Sequence, residues 1–303
     1  MSDIDLNTAS NKRVNSDFTP VIHEEWWRDN ITYSTINRQG IDICTASFVH
    51  PTPKGNIIFI TGWSETFLKY PEMIKTFYES GYSVYTYDHQ SQGLSGRWLP
   101  EHQSTWIKSF DDYVDDFIYF VGMIGKNDSN HLSLYCVAHS MGGLVAALAI
   151  IKHPSLIKKV VFSAPMFRNK CGMKALEYKF PLPQPLTYWI TNLVCMLGLG
   201  KQHALGMFKE DPQALITLKL TKDKEQLKNW EALRRKYPRI IASCVTNDWV
   251  LQSLIAQEKF SSQYVNFKPK CLVFKATEDI FVYNHAMDQF AKQAPNARLF
   301  TFL

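Results

Sequence analysis

Short apolar runs and longer segments of helical period take turns along most of the chain. The runs IDICTASFV (41–49), NIIFI (56–60), YSVYTY (82–87), LSLYCV (132–137), KKVVFSA (158–164) and CLVFKA (271–276) read as strands, and ARLFTFL (297–303) as one more. The short continuously apolar ones, such as NIIFI, have the pattern of strands buried on both faces of a parallel sheet. Between them, residues 66–80 predict a helix that stops at Gly81. Ser109 and Asp112 have the spacing of a helix start, followed by Val114, Phe117, Ile118 and Val121 at helical intervals. Further helices are predicted from about Ser140 and from Asn284. This alternation predicts an α/β fold, a mostly parallel sheet flanked by helices.

The rhythm breaks at about Met166. From there to Phe267 the chain is helix-like, rich in proline, tryptophan and basic residues, and without a good strand. The expected organisation is therefore a polar lead (1–25), a first part of the core (26–165), an inserted helical cap (166–267) and a second part of the core (268–303). Within the insertion, LTYWITNLVCMLGLG (186–200) is apolar but shorter than the roughly 20 residues a membrane span needs. It is long enough to touch a bilayer, and equally suits a buried core helix.

Composition narrows the classes. With 303 residues, 46% of them hydrophobic and 20% charged, the chain can bury a large core and is not expected to be disordered. The net charge of +5 is spread out, and Arg234–Lys236 reads as a solvated helix face, so no nucleic-acid partner is expected. Asp111, Asp112, Asp115 and Asp116 read as a mostly outward face near a helix start rather than a metal site. The six cysteines (Cys44, Cys136, Cys171, Cys195, Cys244, Cys271) lack metal-type spacing, and no metal or cofactor is expected. Residues 1–20 are polar, without the apolar core of a signal peptide, which predicts a cytoplasmic setting.

Residues 137–143, VAHSMGG, carry the chemistry. Ser140 sits between Ala138 and Gly142, after an apolar strand and before the helical GLVAALAII. A small-x-Ser-x-small turn of this kind is a nucleophile elbow, which exposes a strained serine to a general base. The plainer alternative is a serine that only caps the helix. An oxyanion hole would take one N–H from Met141, after the nucleophile, and one from Trp63 in ITGWSE, after the strand 56–60. The acid should follow on a loop after a later strand, where ATEDIFVYN offers Asp279, with Glu278 as runner-up. The base should follow the acid. His285 lies only six positions on and suits a surface or capping role, His139 adjoins the serine but points elsewhere, and His89 and His102 precede the elbow.

Together YDHQSQGLSGR (87–97), FDDYVDD (110–116), AHSMGG (138–143) and SAPMF (163–167) resemble the lysophospholipase L2 type of α/β-hydrolase, close to monoacylglycerol lipases and grouped with the serine aminopeptidases. The match runs from about Gly55 to the end. It implies an α/β-hydrolase fold with a helical lid, Ser140 as nucleophile, Asp279 as acid, and Trp63 and Met141 as backbone oxyanion donors. Gln90 and Ser91 depart from the family's usual Arg-Gly. The family's histidine, in a Gly-x-x-His-Glu-like stretch, would fall a few residues beyond Leu303. The resemblance implies ester hydrolysis of a single-acyl lipid, with residues 181–200 as an apolar wall that could also contact a membrane surface. A peptidase or thioesterase would use the same site residues, and a non-catalytic binding protein would keep the pocket without the triad.

Overall fold

A computed structural model describes residues 17–170, 182–207, 209, 211 and 221–302, and the backbone of 11–13. The polar lead up to residue 10, Cys171, the start of the 181–200 stretch and Leu303 lie outside these. A nine-stranded sheet runs β1-β2-β3-β5-β4-β7-β8-β10-β11, where β1 is Asn11–Arg13, β2 Ile31–Arg38, β3 Ile41–Phe48, β4 Asn56–Ile60, β5 Ser83–Tyr87, β7 Leu134–His139, β8 Lys159–Ser163, β10 Lys270–Ala276 and β11 Ala297–Phe302. From β5 to β11 all neighbours are parallel, and β1, β2, β3 and β5 pair antiparallel. Every residue of β4 is buried: Ile58 and Ile60 join the larger core cluster and Phe59 a smaller one around Trp27, Phe48, Phe67 and Trp230. Alternate side chains of a strand face opposite sides of its sheet, so this central strand holds both layers together.

Helices cover the sheet: α1 (Glu24–Asn30), α2 (Pro71–Glu79), α3 (Phe110–Asn127), α4 (Met141–Lys152), α5 (Gln184–Val194), α6 (Lys224–Lys236), α7 (Asn247–Ser261) and α8 (Asn284–Gln293). The capping box of Ser109 and Asp112 opens α3 as the spacing predicts. Asp116, however, is buried rather than outward. The Gln90 amide (2.8 Å) and the Arg38 guanidinium (3.1 Å) meet its carboxylate, which satisfies the group that burial strands. The predicted helix over 66–80 splits into a short 3₁₀ turn, Phe67–Lys69, and α2. Pro71 takes the first position of α2, and the residue before a proline is driven out of helical geometry. The strand read at 132–137 instead runs Leu134–His139, because the Asp128 carboxylate takes the Leu132 N–H (2.8 Å) out of the ladder. β2 and α1 fall in a stretch whose polar residues hid them.

Among the described residues between β8 and β10, helices α5, α6 and α7 predominate, and one short strand joins them. A two-residue strand, β9 (Cys244–Val245), pairs with β6 (Ser104–Thr105). The last helix of this region, α7, buries Trp249, Ala256 and Phe260 in the main core. α5 does the reverse: it buries Thr187 and Thr191 and exposes Leu186, Trp189, Ile190 and Leu193, followed by Met196 and Leu197. Trp189 and Met196 are 73% and 76% exposed. Among the described residues, no helix is long and apolar enough to cross a membrane.

Candidate active site

The carboxyl ends of β4, β7, β8, β10 and β11 share one edge of the sheet, the usual place for a ligand site in a parallel sheet. Ser140 stands just past β7, between that strand and α4. Its backbone is forced to φ 49°, ψ −118°, which a residue with a Cβ rarely adopts. Three backbone bonds hold it there: its N–H donates to the Ser163 carbonyl (3.0 Å), and its carbonyl accepts from Gly143 (2.9 Å) and Met166 (2.9 Å). The side chain makes no capping bond to α4. A serine that merely capped the helix would make one, so the plainer alternative does not describe this residue.

The loop after β4 is pressed against the serine. A Cβ on Gly62 would come within 2.9 Å of the Ser140 Cβ, and one on Gly142 within 2.5 Å of the Thr61 carbonyl oxygen. Side chains then hold that loop. The Gly62 N–H donates to the Glu65 carboxylate (2.8 Å) and the Ser64 N–H to the Gln92 Oε1 (3.4 Å). The Gln92 amide nitrogen donates to the Gly62 carbonyl (2.7 Å), and the His89 Nε2–H to that of Thr61 (3.2 Å). The Trp63 N–H between them has no acceptor among the described residues. Met141 opens α4, where a helix N–H has no partner within the helix. Met141 follows Ser140 directly, and Trp63 follows Gly62, the residue packed against the Ser140 Cβ. The Trp63 indole turns away to Thr105 (3.0 Å), and its ring lies against Trp249.

Asp279 follows β10, with only β8 between that strand and β7. Its Oδ1 accepts from the Phe281 (2.7 Å) and Val282 (2.9 Å) N–H groups, while Glu278 is 79% exposed and pairs with Lys222 (3.3 Å). Ala276 pairs in register with Phe302, so the end of β11 emerges beside the Asp279 loop. Among the described residues, none of the nine histidines is hydrogen-bonded to Ser140 or to the Asp279 carboxylate. His139 donates from Nδ1 to the Ser163 carbonyl (3.0 Å) and turns Nε2 toward Glu65 (3.9 Å). Burial pulls the His89 imidazole down to about 4, against the opposing pull of the Thr61 carbonyl. His102 faces Glu101 (3.6 Å), and His285 lies in the first turn of α8 against the Tyr283 ring.

Sequence reasoning missed Glu65, Gln92 and Thr105, which support the loop through bonds that no local pattern encodes. It also left open what Gln90 and Ser91 do. Ser91 adopts φ 64°, the left-handed region a glycine would favour, and its hydroxyl donates to the Trp106 carbonyl (2.7 Å). Gln90 is committed to Asp116.

Glu65 makes the loop pH-sensitive. Burial would raise its carboxyl, but the Lys69 ammonium, the nearby His139 and the bonds from Lys69 and Tyr70 outweigh that and hold it down to about 2. A carboxyl depressed on folding contributes stability that is complete above its unfolded value, near 4.5, and is lost as pH falls toward about 2. Glu65→Gln keeps an acceptor for the Gly62 N–H but removes the charge. Urea unfolding at about pH 6 and about pH 3 should therefore show a smaller acid loss in the variant than in the wild type, up to about 1.4 kcal/mol less for each pH unit of that window. Equal losses would mean that folding leaves the Glu65 carboxyl unshifted.

A sequence profile described as serine aminopeptidase, S33 matches residues 51–302. A probable lysophospholipase L2 of Haemophilus influenzae is 28% identical over 242 residues, 80% of this chain and 73% of that protein. Lysophospholipase L2 of Escherichia coli is 26% identical over 236 residues, covering 78% and 67%. In fold, the chain is similar to a soluble variant of monoglyceride lipase from Saccharomyces cerevisiae (TM-score 0.68, 15% identity, covering 88% of this chain and 84% of that one). It is likewise similar to a carboxyl esterase from Bacillus coagulans (TM-score 0.69, 13% identity, 90% of each chain).

Proposed function

The chain belongs to the serine aminopeptidase, S33 family of α/β-hydrolases, and from that membership we propose that it is a serine carboxylester hydrolase of single-acyl lipids, lysophospholipids or monoacylglycerols. The observation that carries the reading is the strained Ser140 with the Gly62–Trp63 loop packed against it. Ser140 Oγ attacks the acyl carbonyl, and the Trp63 and Met141 N–H groups stabilise the oxyanion. A histidine oriented by Asp279 takes the Oγ proton and passes it to the departing glycerol or glycerophosphoryl oxygen. Water then attacks the acyl-enzyme and releases the fatty acid. In the Ser–acid–His order of this fold that histidine follows the acid, and the end of β11 lies beside the Asp279 loop.

The outward apolar face of α5 favours lipid over peptide. A helix that buries two threonines and exposes Leu186, Trp189, Ile190 and Leu193 is suited to lie against acyl chains, as the wall of an acyl site or on a membrane surface. The described cysteines are free thiols, which supports a cytoplasmic location, with α5 as the face that meets a membrane surface. The test compares fatty-acid release from lysophospholipid and monoacylglycerol in vesicles with cleavage of a matched acyl thioester and an aminoacyl amide. Esters should be cleaved fastest. Trp189→Ser should slow turnover of vesicle lipid and leave a soluble short-chain ester unaffected. Preferred cleavage of the amide or thioester would overturn the lipid-ester reading.

A further inference from the structure

The loop that carries Asp279 is bonded to the segment through which the chain leaves β8 for α5. The Lys170 N–H donates to the Phe281 carbonyl (2.7 Å) and the Tyr283 N–H to the Arg168 carbonyl (2.8 Å), with Asn169 and Val282 bridged antiparallel between them. The Lys170 ammonium donates to the Asp279 backbone carbonyl (2.6 Å). Phe281 and Val282 are also the residues whose N–H groups hold the Asp279 carboxylate. One end of that carboxylate's support thus hangs on residues 168–170.

The other end of the same segment is tied to α5. Gln257, from α7, is only 3% exposed and takes the Asn169 N–H on its Oε1 (2.9 Å). The Gln184 amide, in the first turn of α5, donates to that same Oε1 (3.1 Å) and to the Asn169 carbonyl (3.1 Å). These contacts hold a fixed geometry because breaking one leaves the buried Gln257 carboxamide short of a partner. A continuous chain of bonds therefore runs from α5 through Gln184, Gln257, Asn169 and Lys170 to the Asp279 turn. α5 is also the helix with the exposed apolar face, the element a lipid surface would engage.

We propose that residues 168–170 form a strap through which α5 sets the position of the Asp279 carboxylate, with Lys170 and Gln184 as positioning residues. The coupling rests on the hydrolase reading only for its catalytic consequence. Displacement of α5 re-sets the strap, the strap re-sets the Phe281 and Val282 N–H groups, and these re-aim the acid. Contact with lipid and readiness for catalysis are then linked through three residues of backbone.

The test uses Lys170→Met, Gln184→Met, the double variant and Lys170→Arg. Amide hydrogen exchange at Phe281 and Val282 is followed alongside the labelling of Ser140 by a fluorophosphonate. Exchange at both amides should accelerate about tenfold in Lys170→Met and about threefold or more in Gln184→Met, the scale of one lost hydrogen bond. The maximal labelling rate should fall while the half-saturating phosphonate concentration stays put, and Lys170→Arg should restore most of it. Because both variants cut one chain of bonds, the double variant should lose little more than Lys170→Met alone. Exchange in Gln184→Met equal to wild type, or losses that add, overturns the strap. Failure of the wild type to label would count against the hydrolase reading alone, since exchange still decides the coupling. Unchanged melting temperature separates a strap effect from general unfolding.

Discussion

Ser140→Ala removes phosphonate labelling and lowers ester hydrolysis roughly a million-fold, the scale on which loss of a triad nucleophile is felt. The protein stays folded, because Ser140 makes no side-chain bond that its helix needs. Ser140→Gly tests the same turn from the side of stability. At φ 49°, ψ −118° a glycine is unstrained whereas an alanine keeps the strain, so the glycine variant should be more stable than the alanine variant by about 1–2 kcal/mol. Thermal or urea unfolding of the two variants measures that difference. A labelled Ser140→Ala would place the reactive group elsewhere. A wild type that never labels would favour a binding protein that keeps the pocket without its chemistry. Equal stability of the glycine and alanine variants would mean that the elbow holds no strain for catalysis to draw on.

What was legible in the sequence follows from the range of the interactions. NIIFI reads as a strand buried on both faces because burial on each side requires apolar residues at every position, and β4 is buried throughout. The start of α3 reads correctly because a capping box closes within four residues. β2 does not read, because its antiparallel ladder needs only Tyr33 and Ile36 inside and fills most of the rest with polar residues, Thr32, Ser34, Thr35, Asn37 and Arg38. The candidate site divides in the same way. Ser140 lies in a local turn motif, whereas its neighbouring loop is held by Gln92 from about thirty residues away in sequence and by His89 from a similar distance. Nothing near Thr61 announces those partners. Asp116 shows the reverse error: among four aspartates it has no local mark of burial, and only Arg38 and Gln90, both remote in sequence, bring it inside. The stretch 186–200 suits a bilayer contact and a buried core helix alike, and only the packing of α5 on α7, with Thr187 and Thr191 buried, leaves its apolar face outward.

Asp279→Asn should lower ester hydrolysis about ten-thousand-fold, while Glu278→Gln changes it less than about twofold. The two carboxylates are adjacent in sequence, and the fold separates them by what each accepts. Oδ1 of Asp279 takes two backbone N–H groups, which fixes the carboxylate, whereas Glu278 stands in solvent beside Lys222. An exposed ion pair of that kind contributes little. Asparagine keeps an oxygen for Phe281 and Val282, so the turn survives and the loss falls on the charge that orients and stabilises the histidine. The expected signature is a fall in kcat with KM nearly unchanged, because the acid acts on the transition state rather than on substrate binding. Equal effects at both positions would mean that the loop, not the carboxylate, matters. A loss confined to Glu278→Gln would transfer the acid's role to the neighbouring residue and require the loop to turn it inward in the working enzyme.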